Sequence, residues 1–153
     1  MASAERPIVF DADALIKLRG WKNHYGKLQR VLGNNFCVVE YVAKKEVKYY
    51  EDGNTGRRFG FDLSYLTSKT VPRLVSENDL PDEVHSKYLE YFNALSGAGP
   101  GERPTFAMAW VLDYDVCSDD TGAHDLFRQH RPPDCQSRYF TLLQLLRHLK
   151  IIT

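Results

Sequence analysis

Acidic residues recur in this chain at places where a carboxylate is costly. Ile8-Val9-Phe10 is an apolar run that ends in Asp11-Ala12-Asp13, and Ala14-Leu15-Ile16 resumes the apolar pattern at once. Glu46, Glu102 and the pair Asp119-Asp120, which follows Ser118, stand in comparable settings. Carboxylates at the ends of apolar elements are unfavourable unless something positive sits among them. One divalent cation would satisfy several at once, and hard oxygen donors suit Mg2+ or Mn2+. Two such ions about 3.5–4 Å apart can activate water and stabilise the leaving oxygen in phosphodiester cleavage. The chemistry expected of Asp11, Glu46, Glu102 and Asp119 or Asp120 is therefore metal-dependent phosphodiester hydrolysis.

Each acid also has an ordinary explanation. Asp13, two residues after Asp11, is either a second ligand on the same face or the N-cap of the following helix. Asp11 directly terminates a buried strand and is harder to explain as a cap. Periodicity separates two glutamates. Glu46 falls inside the stripe Val39, Val42, Ala43, Val47 and Tyr50, whereas Glu40 shares a solvated face with Lys44 and Lys48. Glu102 follows Gly99-Pro100-Gly101 at a helix start, where the helix dipole alone favours an acid. Phe106, Ala109 and Trp110 share its face, which places it at the end of a buried stripe. One of Asp119 and Asp120 can be an N-cap, and Ser118 either assists binding or caps the same helix.

Short strands must carry these acids. Ile8 to Phe10, Phe36 to Val39 and Val116 to Ser118 read as strands. Helical character is expected from Ala14 to Leu18, Leu28 to Leu32, Glu40 to Tyr50, Val84 to Leu95, Thr105 to Leu112, Gly122 to Gln129 and Ser137 to Leu149. Glu51 to Gly56 is a turn by composition, and Leu63 to Val75 fits neither pattern cleanly. Strands alternating with helices argue for an α/β fold with a parallel sheet, whose sites form at the carboxyl ends of strands. Residues 1–153 read as one domain, with no repeat and no linker.

Twenty basic and twenty acidic residues balance to zero formal charge, so global charge does not announce a nucleic-acid coat protein. A local basic rim can still steer such a ligand. Arg57-Arg58 with Phe59, Phe61 and Tyr65 is a mixed basic and aromatic stretch, read either as a solvated face or as an RNA-contact loop. His24, His85, His124, His130 and His148 lack zinc spacing, and neither a Gly-x-Ser-x-Gly elbow nor a phosphate-cradling lysine loop occurs. Cys37, Cys117 and Cys135 have no metal-type spacing; with Met1 to Pro7 too short and polar for a leader, a cytoplasmic setting without membrane attachment is expected.

In order and spacing, these segments resemble the PIN-domain family, including VapC-type toxin ribonucleases. Ile-Val-Phe-Asp-Ala-Asp-Ala-Leu-Ile is similar to its opening strand, with Asp11 at the first acidic position and Asp13 at a following polar one. Val42-Ala-Lys-Lys-Glu46-Val47, Gly101-Glu102 and Cys117-Ser118-Asp119-Asp120 resemble the later acidic motifs, Asp120 fitting the Ser-x-Asp spacing. The resemblance implies a three-layer α/β/α sandwich and metal-dependent cleavage of RNA. Asp11, Glu46, Glu102 and Asp120 would be catalytic, with Asp119 as a further ligand. It also implies Mg2+ or Mn2+, a possible homodimer and, for a toxin, a cognate antitoxin. Pro104 departs from the usual start of the third acidic helix, and residues 51–80 are longer than a minimal toxin needs. Two other readings compete. Phe10-Asp11-Ala12-Asp13 also resembles the opening motif of HAD-type aspartate-nucleophile phosphohydrolases, and a PIN-like fold can serve as a catalytically silent RNA- or protein-binding module.

Overall fold

The computed structural model describes residues 6–153. The reading of Met1 to Pro7 as no leader falls mostly outside them. Five parallel strands form the central sheet: β1 (Ile8–Phe10), β2 (Phe36–Val39), β5 (Arg73–Val75), β6 (Asp115–Cys117) and β7 (Tyr139–Phe140). Their spatial order is β5-β2-β1-β6-β7. β1, β2 and β6 are buried along their whole length, which is why they read as continuous apolar runs rather than alternating ones. A separate antiparallel hairpin pairs β3 (Tyr49–Glu51) with β4 (Arg58–Gly60).

Helices α1 (Ala12–Gly20) and α2 (Lys22–Leu32) connect β1 to β2. Helices α3 (Asp82–Ala94) and α4 (Glu102–Leu112) connect β5 to β6, while α5 (Thr121–His130) connects β6 to β7 and α6 (Leu142–His148) follows. The chain winds from β1 toward β2 and β5, then crosses back over to β6 and β7. Right-handed crossovers then place α1 and α2 on one face and α4 and α5 on the other. The aromatic core agrees: Phe106 and Trp110 of α4 meet Phe127 of α5, each with ring centroids 5.6 Å apart. The result is a three-layer α/β/α sandwich, as expected. Among the described residues, no helix is long and apolar enough to cross a membrane.

Three stretches differ from the sequence expectation. Residues 40–50 are helical only as far as Glu46: a turn at Glu40 and Tyr41 continues as a π-turn (Val42–Glu46), and β3 follows. Ser137 to Leu149 divides into β7 and α6, with Thr141 and Gln144 completing a capping box. Pro104 does not interrupt α4. It is the third residue of the first turn, where its missing N–H has no intrahelical partner to lose.

Candidate active site

Sheet register builds the centre of the site. β1 pairs with β6 so that Phe10 lies opposite Cys117, and the Asp11 N–H donates to the Cys117 carbonyl at 2.9 Å. Asp11 and Ser118 are therefore neighbours at the carboxyl ends of adjacent strands. That is also where the winding reverses direction, the place at which open parallel sheets bind ligands.

Asp11, not Asp13, is the N-cap of α1: its Oδ1 accepts from Ala12 N at 2.9 Å. Asp13 is the second residue of the helix. The strand ends at Phe10, so the two acids do not share a face through strand alternation. They converge instead on one hydroxyl. Ser118 Oγ lies 3.4 Å from Asp11 Oδ2 and 3.4 Å from Asp13 Oδ1. The amide of Asp119 also donates to Asp13 Oδ1, at 3.4 Å.

Glu46 arrives by a different route. The π-turn after β2 carries Val42 and Ala43 into the core and turns Glu46 back toward the loop before α4. Gly101 leaves room for that contact: a Cβ there would overlap the Glu46 carboxylate, which would have to move aside. Glu102 opens α4, and its Oε1 accepts from Gly99 N at 2.9 Å, closing the loop on itself. Glu40 points elsewhere. It pairs with Lys44 at 2.8 Å and accepts from Ser76 Oγ at 3.4 Å, so the separation of the two glutamates by periodicity holds along the short helical segment that carries both.

Asp119 and Asp120 divide their roles. Asp120 is the N-cap of α5, its Oδ1 accepting from Gly122 N at 2.8 Å and Ala123 N at 3.3 Å. Asp119 accepts from Leu142 N at 2.7 Å, and its other oxygen from Lys17 Nζ at 3.1 Å. Lys17 was not singled out from the sequence, although its place four residues after Asp13 on α1 puts the two on one helix face. Tyr139 was also missed. Its hydroxyl donates to the Asp120 carbonyl at 2.9 Å, and its ring stacks on His124 with centroids 4.5 Å apart.

Electrostatics ties these groups into one cluster. Asp11 is only 5% exposed. Burial first, then the neighbouring charges of Asp13, Glu46 and Glu102, push its carboxyl up to about 7, against the lowering effect of Ala12 N–H. Burial also raises Asp13, with Asp119 and Asp120 adding to it, and raises Glu46, with Glu102 and Asp13 adding. Every acid proposed from sequence thus acts on at least one other. The Tyr139 hydroxyl is pushed up by burial and by Asp13 and Asp11, which keeps it a neutral donor.

The donor set is carboxylate oxygen with one hydroxyl, the chemistry of a hard cation. Among the described residues, no three His, Cys, Asp or Glu side chains converge closely enough to grip an ion by themselves. Mg2+ is commonly held by one or two carboxylates with its remaining positions filled by water and substrate oxygens, and this arrangement of acids around Asp11 fits that mode.

One buried acid lies outside the cluster. Asp115 is fully buried at the opposite end of β6, where Arg138 reaches its Oδ2 through Nη2 at 2.7 Å and Nε at 3.2 Å. It is a structural ion pair. Of the two arginines proposed for RNA contact, Arg58 lines a groove that begins at Asp13, while Arg57 packs over Phe59 at 5.8 Å. Phe61 is a core residue, and Tyr65 lines a different groove. No protein-family model matches the chain, and no curated protein matches it.

Proposed function

We propose that this chain is a metal-dependent phosphodiesterase that cleaves RNA internally. The observation that supports it most is the state of Asp11, a buried carboxyl at the winding reversal of the sheet, raised to about 7 and surrounded by Asp13, Glu46 and Glu102. Structural acids are normally paired, as Asp115 is with Arg138. Asp11 instead has acids for neighbours, an arrangement suited to a cationic ligand.

Asp11 and Asp13 would hold Mg2+ or Mn2+ from the α1 side, with Asp119 or Asp120 and Glu46 or Glu102 completing the approach. Such an ion, once bound, lowers the pKa of its water and stabilises the leaving oxygen. Ser118 Oγ stands between the two carboxylates, its single proton available to either Asp11 Oδ2 or Asp13 Oδ1. Ala12 N–H holds Asp11 Oδ1 in place, so its other oxygen is the one turned to the ligand. Glu46 is half-buried, and burial, then Glu102 and Asp13, raise its carboxyl above the ordinary value, which favours its protonated form.

The test separates this chemistry from an aspartyl-phosphate mechanism. Short single-stranded RNA and a small phosphomonoester are offered to the protein in Mn2+, and the protein is probed by mass for phosphorylated Asp11. Internal cuts in the RNA with no phosphoenzyme are expected. Phosphomonoester turnover with phosphate trapped on Asp11 would replace the proposal with an aspartate-nucleophile phosphohydrolase.

A further inference from the structure

Beside the acid cluster, α1 and the β3–β4 hairpin enclose a groove of about 660 Å3. It begins at Asp13 and passes Ile16, Lys17 and Trp21 to reach Tyr49 and Arg58. Its walls are fixed by backbone contact. Gly53 N donates to Gly20 O at 3.0 Å, and neither glycine has room for a side chain: a Cβ on Gly20 would overlap the Glu51 carbonyl, and one on Gly53 would lie 2.9 Å from the Trp21 ring.

Strand alternation sorts the hairpin side chains. Tyr50 turns inward, where the Arg19 guanidinium sits 4.5 Å from its ring. Tyr49 turns outward and is 44% exposed, with the Arg58 guanidinium 4.2 Å from its ring. The acids on this wall are engaged by the hairpin itself. Glu51 pairs with Arg58 at 3.7 Å, and Asp52 accepts from Asn54 N at 2.7 Å. What the wall presents is an aromatic ring with a cation against it, joined by a groove to a carboxylate cluster. A base and its phosphate need that combination when the strand is unpaired, because only an unpaired base can leave its own stack for a protein ring.

We propose that this groove seats an unpaired nucleic-acid strand, with one base stacked on the Tyr49–Arg58 pair and the backbone led past Lys17 to Asp13 and Asp11. The inference rests on the phosphodiesterase reading and names the face by which its substrate enters.

Binding of fluorescein-labelled oligouridylate to the full chain, read by anisotropy in chelator, tests it without cleavage. Tyr49→Ala should weaken binding about tenfold, the scale of one base stacked on an aromatic side chain. Tyr49→Phe should restore it. Arg58→Ala should flatten the dependence of log affinity on log salt by about 0.7, one phosphate contact on a single strand. Tyr65→Ala, on a 57% exposed ring outside the groove, should change nothing. Unaltered thermal midpoints check that the variants fold. Equal affinity for the matching deoxy-oligonucleotide supports the groove and assigns recognition to base and phosphate; a preference for RNA supports it with a 2′-hydroxyl contact. Undiminished binding by both Tyr49→Ala and Arg58→Ala would overturn the proposal and leave the groove to a protein partner, and so would equal affinity for duplex RNA. If the groove variants lose binding but the wild-type protein never cuts RNA in Mn2+, the groove stands and the phosphodiesterase reading falls. Cleavage with unaltered variant binding gives the reverse.

Discussion

Replacing Asp11 with Asn should stabilise the metal-free protein at about pH 8 and leave it nearly unchanged at about pH 4. In the folded chain the Asp11 carboxyl is raised from its ordinary 3.8 to about 7, chiefly by burial and then by Asp13, Glu46 and Glu102. Between those values the native state holds a proton that the unfolded chain has released. Stability therefore falls as pH rises through this window; the contribution is fully present below the unfolded pKa and lost above about 7. At 1.36 kcal/mol for each tenfold change in proton affinity, the difference between variant and wild type should approach about 4 kcal/mol at pH 8. Asn keeps an oxygen to accept from Ala12 N, so the helix cap survives. Urea unfolding of both proteins in chelator, from acid to mildly alkaline pH, measures the difference, and titrations elsewhere in the chain largely cancel from it. Mn2+ at a hundred times its dissociation constant should return about 2.7 kcal/mol to the wild type and much less to the variant. A difference that stays flat with pH would show that Asp11 is not a buried carboxyl under repulsion, and the site argument would fail at its first step.

Glu46→Gln should remove most RNA cleavage, whereas Glu40→Gln loses a surface pair worth a few tenths of a kcal/mol and stays active; the opposite result in a cleavage assay would reassign the second acid. Gly101→Ala inserts a methyl group into the Glu46 carboxylate and should lower turnover about a hundredfold by displacing it, with a readable crystal or NMR shift at Glu46. Unchanged turnover would mean that Glu46 has no required position. Arg138→Ala leaves Asp115 buried without its main partner and should cost about 3–5 kcal/mol by chemical denaturation, while the folded fraction keeps its activity because that pair lies at the far end of β6.

The three central strands were legible because burial on both faces writes a continuous apolar run, and the acids at their ends stand out against it. The end of the helical segment at Glu46 was not. Val42, Ala43 and Val47 are buried by a π-turn and the segment after it, and Tyr50 is buried by strand alternation in β3, yet together they mimic a helical stripe. The inward position of Glu46 survived because both readings bury the same neighbours. β7 is only two residues long, too short for any pattern, although Thr141 and Gln144 carried a capping-box signal for the true start of α6. The hairpin strand β4 is exposed throughout and has no apolar signature at all. Asp115 was missed for a different reason: its partner Arg138 is distant in sequence, and only the pairing of β6 with β7 brings them together.

The most direct test of the central claim is RNA cleavage as a function of divalent metal, comparing the wild type with Asp11→Asn. Single-stranded RNA is incubated with chelator-treated protein, then with increasing Mg2+ or Mn2+. The wild type should be silent in chelator and recover internal cleavage on adding either ion, while Asp11→Asn stays inactive at concentrations that saturate the wild type. Full cleavage after exhaustive metal removal, or an Asp11→Asn variant as active as the wild type, would contradict the account.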